Sequence, residues 1–367
     1  MITVTKPFMP PLEDFLPYLE KIWQKKQLTN NGPFHQQLEI ELADYLGVKY
    51  ISLFANATLG LVTALQALGI SGEVITTPFS FVATSHALWW NKITPVFVDI
   101  DPDYLNLNPA KIEAAITSQT TAIMPVHVYG NPCNVDEIKR IADKHNLKVI
   151  YDAAHAFGVQ KDGISLLNYG DLSVVSFHAT KVYSTIEGGA IICHTPEMKH
   201  HIDNLKNFGF RDEVTVEEPG INAKLNEFQA AYGLLQLKYV DELIDRRKVI
   251  AEMYRDLLNG VPGIRLFSDI PGIRHGYAYF PVLIDQKSYG LSRDALYEKL
   301  KESNIFARRY FFPLISTFEP YAKLPSANPD NLPIATEYAN MVLCLPLYAD
   351  LQDSDVQLIC SIIKSFV

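Results

Sequence analysis

The sequence predicts an α/β protein: a mixed, mostly parallel sheet between layers of helix, with a smaller C-terminal α+β domain. Three observations lead there. Short Val- and Ile-rich runs alternate with longer amphipathic stretches, as in strands buried on both faces and linked by crossover helices. From residue 225 to 253, apolar residues recur every three or four positions, a long helix leaving the first domain. After Gly260 the composition shifts, and Pro262-Gly263 and Pro271-Gly272 mark turns. Two domains follow from this, 1–245 and 246–367.

Taken in order, strands are expected at 50–54, 73–77, 94–99, 121–126, 148–151, 172–177 and 190–193. Helices are expected at 57–68, 82–90, 109–115, 135–144 and 196–207. In the second domain, 277–284 reads as a strand, 293–302 as a helix, and the last twenty residues contain another helix. Ligands of such sheets bind at the carboxyl ends of the strands.

At 367 residues, 48% hydrophobic and 20% charged, the chain has enough apolar material for two domains. A net charge of −9 argues against a general nucleic-acid binder, which needs clustered Lys and Arg. Cys133, Cys193, Cys344 and Cys360 lie far apart with no CxxC pair, so buried free thiols in a reducing cytosol are expected and a metal site is not. The first eleven residues carry three prolines and no long apolar core, unlike a signal peptide. No apolar run is long enough to span a membrane. The expected location is cytoplasmic.

Lys181 carries the chemistry. It follows Ser176-Phe177-His178-Ala179-Thr180 at the exit of one apolar run and precedes Glu187-Gly188-Gly189 and another. Asp152 ends the run before. A lysine and an aspartate at neighbouring strand exits suit pyridoxal 5′-phosphate, whose aldehyde needs an amine and whose ring nitrogen needs a carboxylate. A solvated loop lysine and a turn-capping aspartate are the alternatives for each residue alone. Asn56-Ala57-Thr58 opens a helix after a strand. First-turn N–H groups and the Thr58 hydroxyl would hold a phosphate there, if this is more than a plain cap. Ser176 offers a second hydroxyl. Phe81 lies past another strand, placed to stack on a ring or to fill the core. His155 would bond the cofactor's phenolic oxygen or serve structurally.

With these residues in view, the chain resembles the DegT/StrS sugar-nucleotide aminotransferases, fold type I pyridoxal-phosphate enzymes, over nearly its whole length. The resemblance rests on Leu28-Thr29-Asn30-Asn31-Gly32-Pro33, Ala57-Thr58, Asp152-Ala153-Ala154-His155, Ser176 to Lys181 with Glu187-Gly188-Gly189, and Gly220-Ile221-Asn222-Ala223-Lys224 followed by Glu227 and Gln229-Ala230-Ala231. It implies that Asn222 reaches the phosphate of a partner subunit, and hence a homodimer. It also implies Asn31 and Lys224 near the substrate, and Arg308-Arg309-Tyr310-Phe311-Phe312-Pro313 fits a substrate-facing loop of the small domain that offers cations and aromatics to a nucleotide, or else a plain surface loop. Lys224 stands where many members have Arg, and Ala57 where many have Gly.

The activity implied is a ping-pong transfer. L-Glutamate gives up its amine and leaves as 2-oxoglutarate, and a keto sugar nucleotide takes the amine, with Lys181 moving the proton in both halves. The lysine segment looks most like that of members acting on dTDP-4-keto-6-deoxyglucose to give dTDP-4-amino-4,6-dideoxyglucose, with a role in surface polysaccharide such as the lipopolysaccharide O-antigen. A 3-keto sugar and a UDP carrier remain as alternatives. So do a pyridoxamine-dependent dehydratase, which would carry His at 181, and a non-catalytic cofactor-binding regulator, which would need a basic DNA-binding segment. No GxGxxG follows the first strand, against a dinucleotide enzyme.

Overall fold

A computed structural model describes residues 1–366. Seven strands form the main sheet: β1 (Tyr50–Phe54), β2 (Glu73–Thr76), β3 (Thr94–Phe97), β4 (Thr120–Ile123), β5 (Lys148–Asp152), β6 (Leu172–Ser176) and β7 (Gly189–Cys193). Their spatial order is β1-β7-β6-β5-β4-β2-β3. Only β7 runs antiparallel to its neighbours. The expected mixed, mostly parallel sheet is therefore present. Every residue of β6 and β7 is buried, as strands covered on both faces require.

The register aligns the chemistry. Gly189 pairs with Phe54 on one side and Ser176 on the other, and Asp152 pairs with Val174. The ends of β1, β5 and β6 thus lie along one edge. Gly189 is obligatory here, because a Cβ would fall 2.6 Å from the Ala57 nitrogen that opens the next helix.

The smaller C-terminal part holds a three-stranded antiparallel sheet of Ile264–Leu266, Phe280–Ile284 and Val342–Leu345, with Phe280–Ile284 central. Helices Arg293–Glu302 and Asp353–Lys364 pack with it around Leu296, Leu300, Ile359 and Ile363. A shared apolar cluster joins the two parts: Phe79, Phe97, Ile100 and Tyr129 meet Leu283, Phe311, Ile315 and Val342. Asp99 reinforces the junction. Its buried carboxylate accepts from Lys111 (2.7 Å) and from the N–H groups of Ile334 (3.2 Å) and Ala335 (2.8 Å), capping helix Pro333–Met341.

Several elements differ from expectation. The helix expected over 225–253 is two helices, Glu227–Leu237 and Val240–Leu258. At the joint, Lys238 and Tyr239 donate to carbonyls three residues back, which tightens the chain without Gly or Pro, so periodicity runs through it unbroken. The helix expected over 109–115 is two short turns, Pro109–Lys111 and Glu113–Ala115. The strand expected from 277 begins at Phe280, because Tyr277 sits at φ +51°. Helices Leu12–Lys25 and Pro33–Leu46 were not anticipated. The second shows its signal plainly, with Phe34, Leu38, Leu42 and Leu46 buried at a spacing of four.

Candidate active site

Three strand ends build the site. From β1, Asn56 caps helix Ala57–Ala67, its side chain accepting from Leu59 N–H (2.9 Å). Ala57 and Thr58 sit in that helix's first turn, with backbone donors free of intrahelical partners. Ala55 N–H donates to Ala223 O (2.8 Å), and Phe54 bridges to Lys224, so the Gly220–Lys224 segment lies against the same corner. Asn222 is exposed there, bridged to Asn207.

From β5 comes Asp152, buried. Thr84 Oγ1–H donates to its Oδ2 (2.7 Å), and Ala154 N–H to its Oδ1 (3.1 Å). Burial pushes its carboxyl above the ordinary value, against Thr84, Ala154 and the Lys181 ammonium, which all pull it down. Three residues after Asp152, His155 is held neutral: burial drives its imidazole well below the ordinary value, and Lys181 adds to this. Tyr129 N–H donates to His155 Nδ1 (3.1 Å), which places the ring proton on Nε2 as a free donor. Phe311 stacks on the His155 ring at 6.0 Å, and Tyr279 meets it edge-on at 5.0 Å.

Ser176, the last residue of β6, is buried, and beyond it Lys181 ends a short turn. Lys181 Nζ lies 5.7 Å from the Tyr279 ring centroid and forms no ion pair among the described residues. Desolvation lowers its ammonium to about 8, although Asp152 pulls the other way. Phe81, 57% exposed, leaves a ring face open just ahead of helix Ala83–Trp90.

The other expected residues are placed as follows. Lys224 donates to Asn207 Oδ1 (2.7 Å) and lies over the Phe208 ring. Asn31 is exposed at φ +57°, and its carbonyl accepts from Gln36 (2.8 Å). Tyr310 joins the aromatic group: its carbonyl accepts from Tyr129 OH, and its ring meets Tyr279 edge-on at 5.5 Å. Arg309 donates to Asp294 (2.9 Å) and lies over the Tyr297 ring. Thr84, Tyr129 and Tyr279 went unforeseen. They act through contacts across 26 to 181 positions of sequence, which no local pattern signals.

The donor set fits pyridoxal phosphate. A buried carboxylate with no ion-pair partner among the described residues and a desolvated amine at adjacent strand ends match its ring nitrogen and its aldehyde. An open aromatic face, a neutral imidazole N–H donor and a helix N-terminus match its ring, phenolic oxygen and phosphate. Among the described residues no cluster of His, Cys, Asp or Glu would hold a metal ion, and no helix is long and apolar enough to cross a membrane. The four cysteines are free and buried.

Residues 12–364 match the DegT/DnrJ/EryC1/StrS aminotransferase family. The chain belongs to that family. It is 55% identical over 358 residues to a dTDP-4-amino-4,6-dideoxy-D-glucose transaminase of Escherichia coli, covering 97% of this chain and 96% of that one. The enzyme of that name from Shigella dysenteriae is 54% identical, covering 99% and 98%. Among solved structures, DesI crystallised in the presence of its TDP-sugar product superposes with a TM-score of 0.95 at 36% identity, covering 99% of this chain and 92% of that one. The family member is therefore a sugar aminotransferase with the fold type I architecture expected from its motifs.

Proposed function

We propose that this aminotransferase moves an amino group from L-glutamate to the keto carbon of dTDP-4-keto-6-deoxy-D-glucose, giving dTDP-4-amino-4,6-dideoxy-D-glucose, with pyridoxal 5′-phosphate held by Lys181. The observation that carries the proposal is the desolvated Lys181 amine beside buried Asp152 at the exits of β5 and β6. Identity above one half to two transaminases of that substrate supports the choice of sugar.

When bound, the cofactor supplies an aldehyde for the amine and a cationic ring that withdraws electrons. The protein's residues do the rest. Asp152 holds the ring nitrogen's proton. His155 donates from Nε2, while Phe311 and Tyr279 fix its plane. Lys181, uncharged in an appreciable fraction near neutral pH, takes and returns the proton at the reacting carbon. Ala57, Thr58 and Ser176 hold the phosphate, and Phe81 covers the ring. Asn222, exposed beside this corner, serves the phosphate of a second copy, so the enzyme works as a homodimer in the cytoplasm.

A panel of keto sugar nucleotides incubated with glutamate, read by mass spectrometry, tests the assignment. Replacement of ketone by amine on dTDP-4-keto-6-deoxyglucose, with NMR placing the nitrogen at C4, is expected. Turnover confined to a 3-keto or UDP-linked sugar would refute the substrate.

A further inference from the structure

We propose that Thr84 is the positioning residue for Asp152: its hydroxyl proton, backed by Ser80, fixes the carboxylate and favours its ionised form. This rests on the cofactor reading above and assigns a role to two residues outside it.

The geometry is a buried chain of three groups. Ser80 Oγ lies 2.8 Å from Thr84 Oγ1, and Thr84 Oγ1 lies 2.7 Å from Asp152 Oδ2. All three residues are buried, Thr84 completely. A threonine hydroxyl has one proton, and an ionised carboxylate only accepts. The Thr84 proton is therefore committed to Asp152, and Ser80 must be the donor to Thr84. The chain has a direction, Ser80 to Thr84 to Asp152, and each bond polarises the next. A protonated carboxyl accepts more weakly than the anion, so the arrangement favours the anion against the burial that opposes it.

The surroundings leave this task to few groups. Ala154 N–H occupies Oδ1. Among the described residues Lys181 is the one cation that acts on the carboxylate, and its own charge is weakened by desolvation. The Cys133 thiol, which senses the Asp152 charge, is kept protonated by burial. The His127 imidazole, stacked on Tyr151, is neutral, with its pKa pushed down to about 3 by burial. Phe81 and Thr84 also share one turn, Thr84 N–H donating to Phe81 O (3.2 Å). The segment that presents the open ring face thus also holds the carboxylate.

The test is the affinity of the full chain for pyridoxal phosphate as a function of pH, read by absorbance of the bound cofactor, in wild type, Thr84→Val, Thr84→Ser and Ser80→Ala. Losing a hydrogen bond to a charged group is expected to weaken neutral-pH affinity in Thr84→Val about tenfold and to move the acid limb up by about one pH unit. Thr84→Ser should restore both. Ser80→Ala should move the limb the same way by less. A purely structural hydroxyl would lower folding stability and leave the acid limb in place. An unmoved limb in Thr84→Val, or Thr84→Ser as defective as Thr84→Val, overturns the proposal alone. Should Thr84→Val fail to fold, an unmoved limb in Ser80→Ala overturns it equally. A wild type that takes up no pyridoxal phosphate overturns the cofactor reading and this proposal together.

Discussion

The desolvated lysine makes a quantitative prediction about the cofactor-free protein. An ordinary lysine amine titrates at 10.5, whereas burial brings Lys181 to about 8. At neutral pH an ordinary lysine is uncharged in roughly 0.03% of molecules, and Lys181 in roughly a tenth, a gain of roughly 300-fold in nucleophilic amine. Two opposed influences set this value: burial lowers it, Asp152 raises it, and burial wins. The informative perturbation is therefore Asp152→Asn, which removes the opposing charge and should lower the Lys181 midpoint further. Acylation of Lys181 by a small amine-reactive reagent, quantified by peptide mass spectrometry against pH, reads the midpoint directly. The expected profile rises as pH increases through about 8 in wild type and lies at lower pH in Asp152→Asn. A wild-type midpoint near 10.5, or an upward shift in the variant, would refute the reasoning.

Other substitutions probe the scaffold. Glu227 is buried and accepts from Phe34 N–H (3.0 Å) and His35 N–H (2.8 Å), so Glu227→Ala strands two donors at a helix start and should cost roughly 2–5 kcal/mol in urea unfolding; a loss below about 1 kcal/mol would mean that water replaces the carboxylate. Phe311→Ala removes the ring stacked on His155 and Tyr129 and should slow the glutamate and sugar half-reactions alike, about tenfold; a loss confined to one half would count against a role through His155. Asn222→Ala should weaken cofactor retention while sedimentation still shows a dimer, and unchanged affinity in that dimer would refute the cross-subunit contact.

Much of this was legible in the sequence because the informative features are local. The Val- and Ile-rich runs disclosed all seven strands of the main sheet, and Asp152 and Lys181 stand at the ends of such runs. The contacts that tune them are remote. Thr84 reaches Asp152 across 68 positions, and Tyr129 reaches the Tyr310 carbonyl across 181. Their partners are chosen by strand order and by the seating of the C-terminal part, which a single chain does not spell out. Arg309 is a further case: its partners Asp294 and Tyr297, on helix Arg293–Glu302, are not signalled by the aromatic loop it belongs to. The joint after Leu237 was invisible because apolar spacing continues across it.

The central claim is that one lysine, and no other, anchors the cofactor. Purified protein mixed with pyridoxal phosphate, reduced with borohydride and digested should yield a phosphopyridoxyl group on the peptide containing Lys181, and none in Lys181→Ala. A label on a different lysine, or an unlabelled digest, would contradict the account.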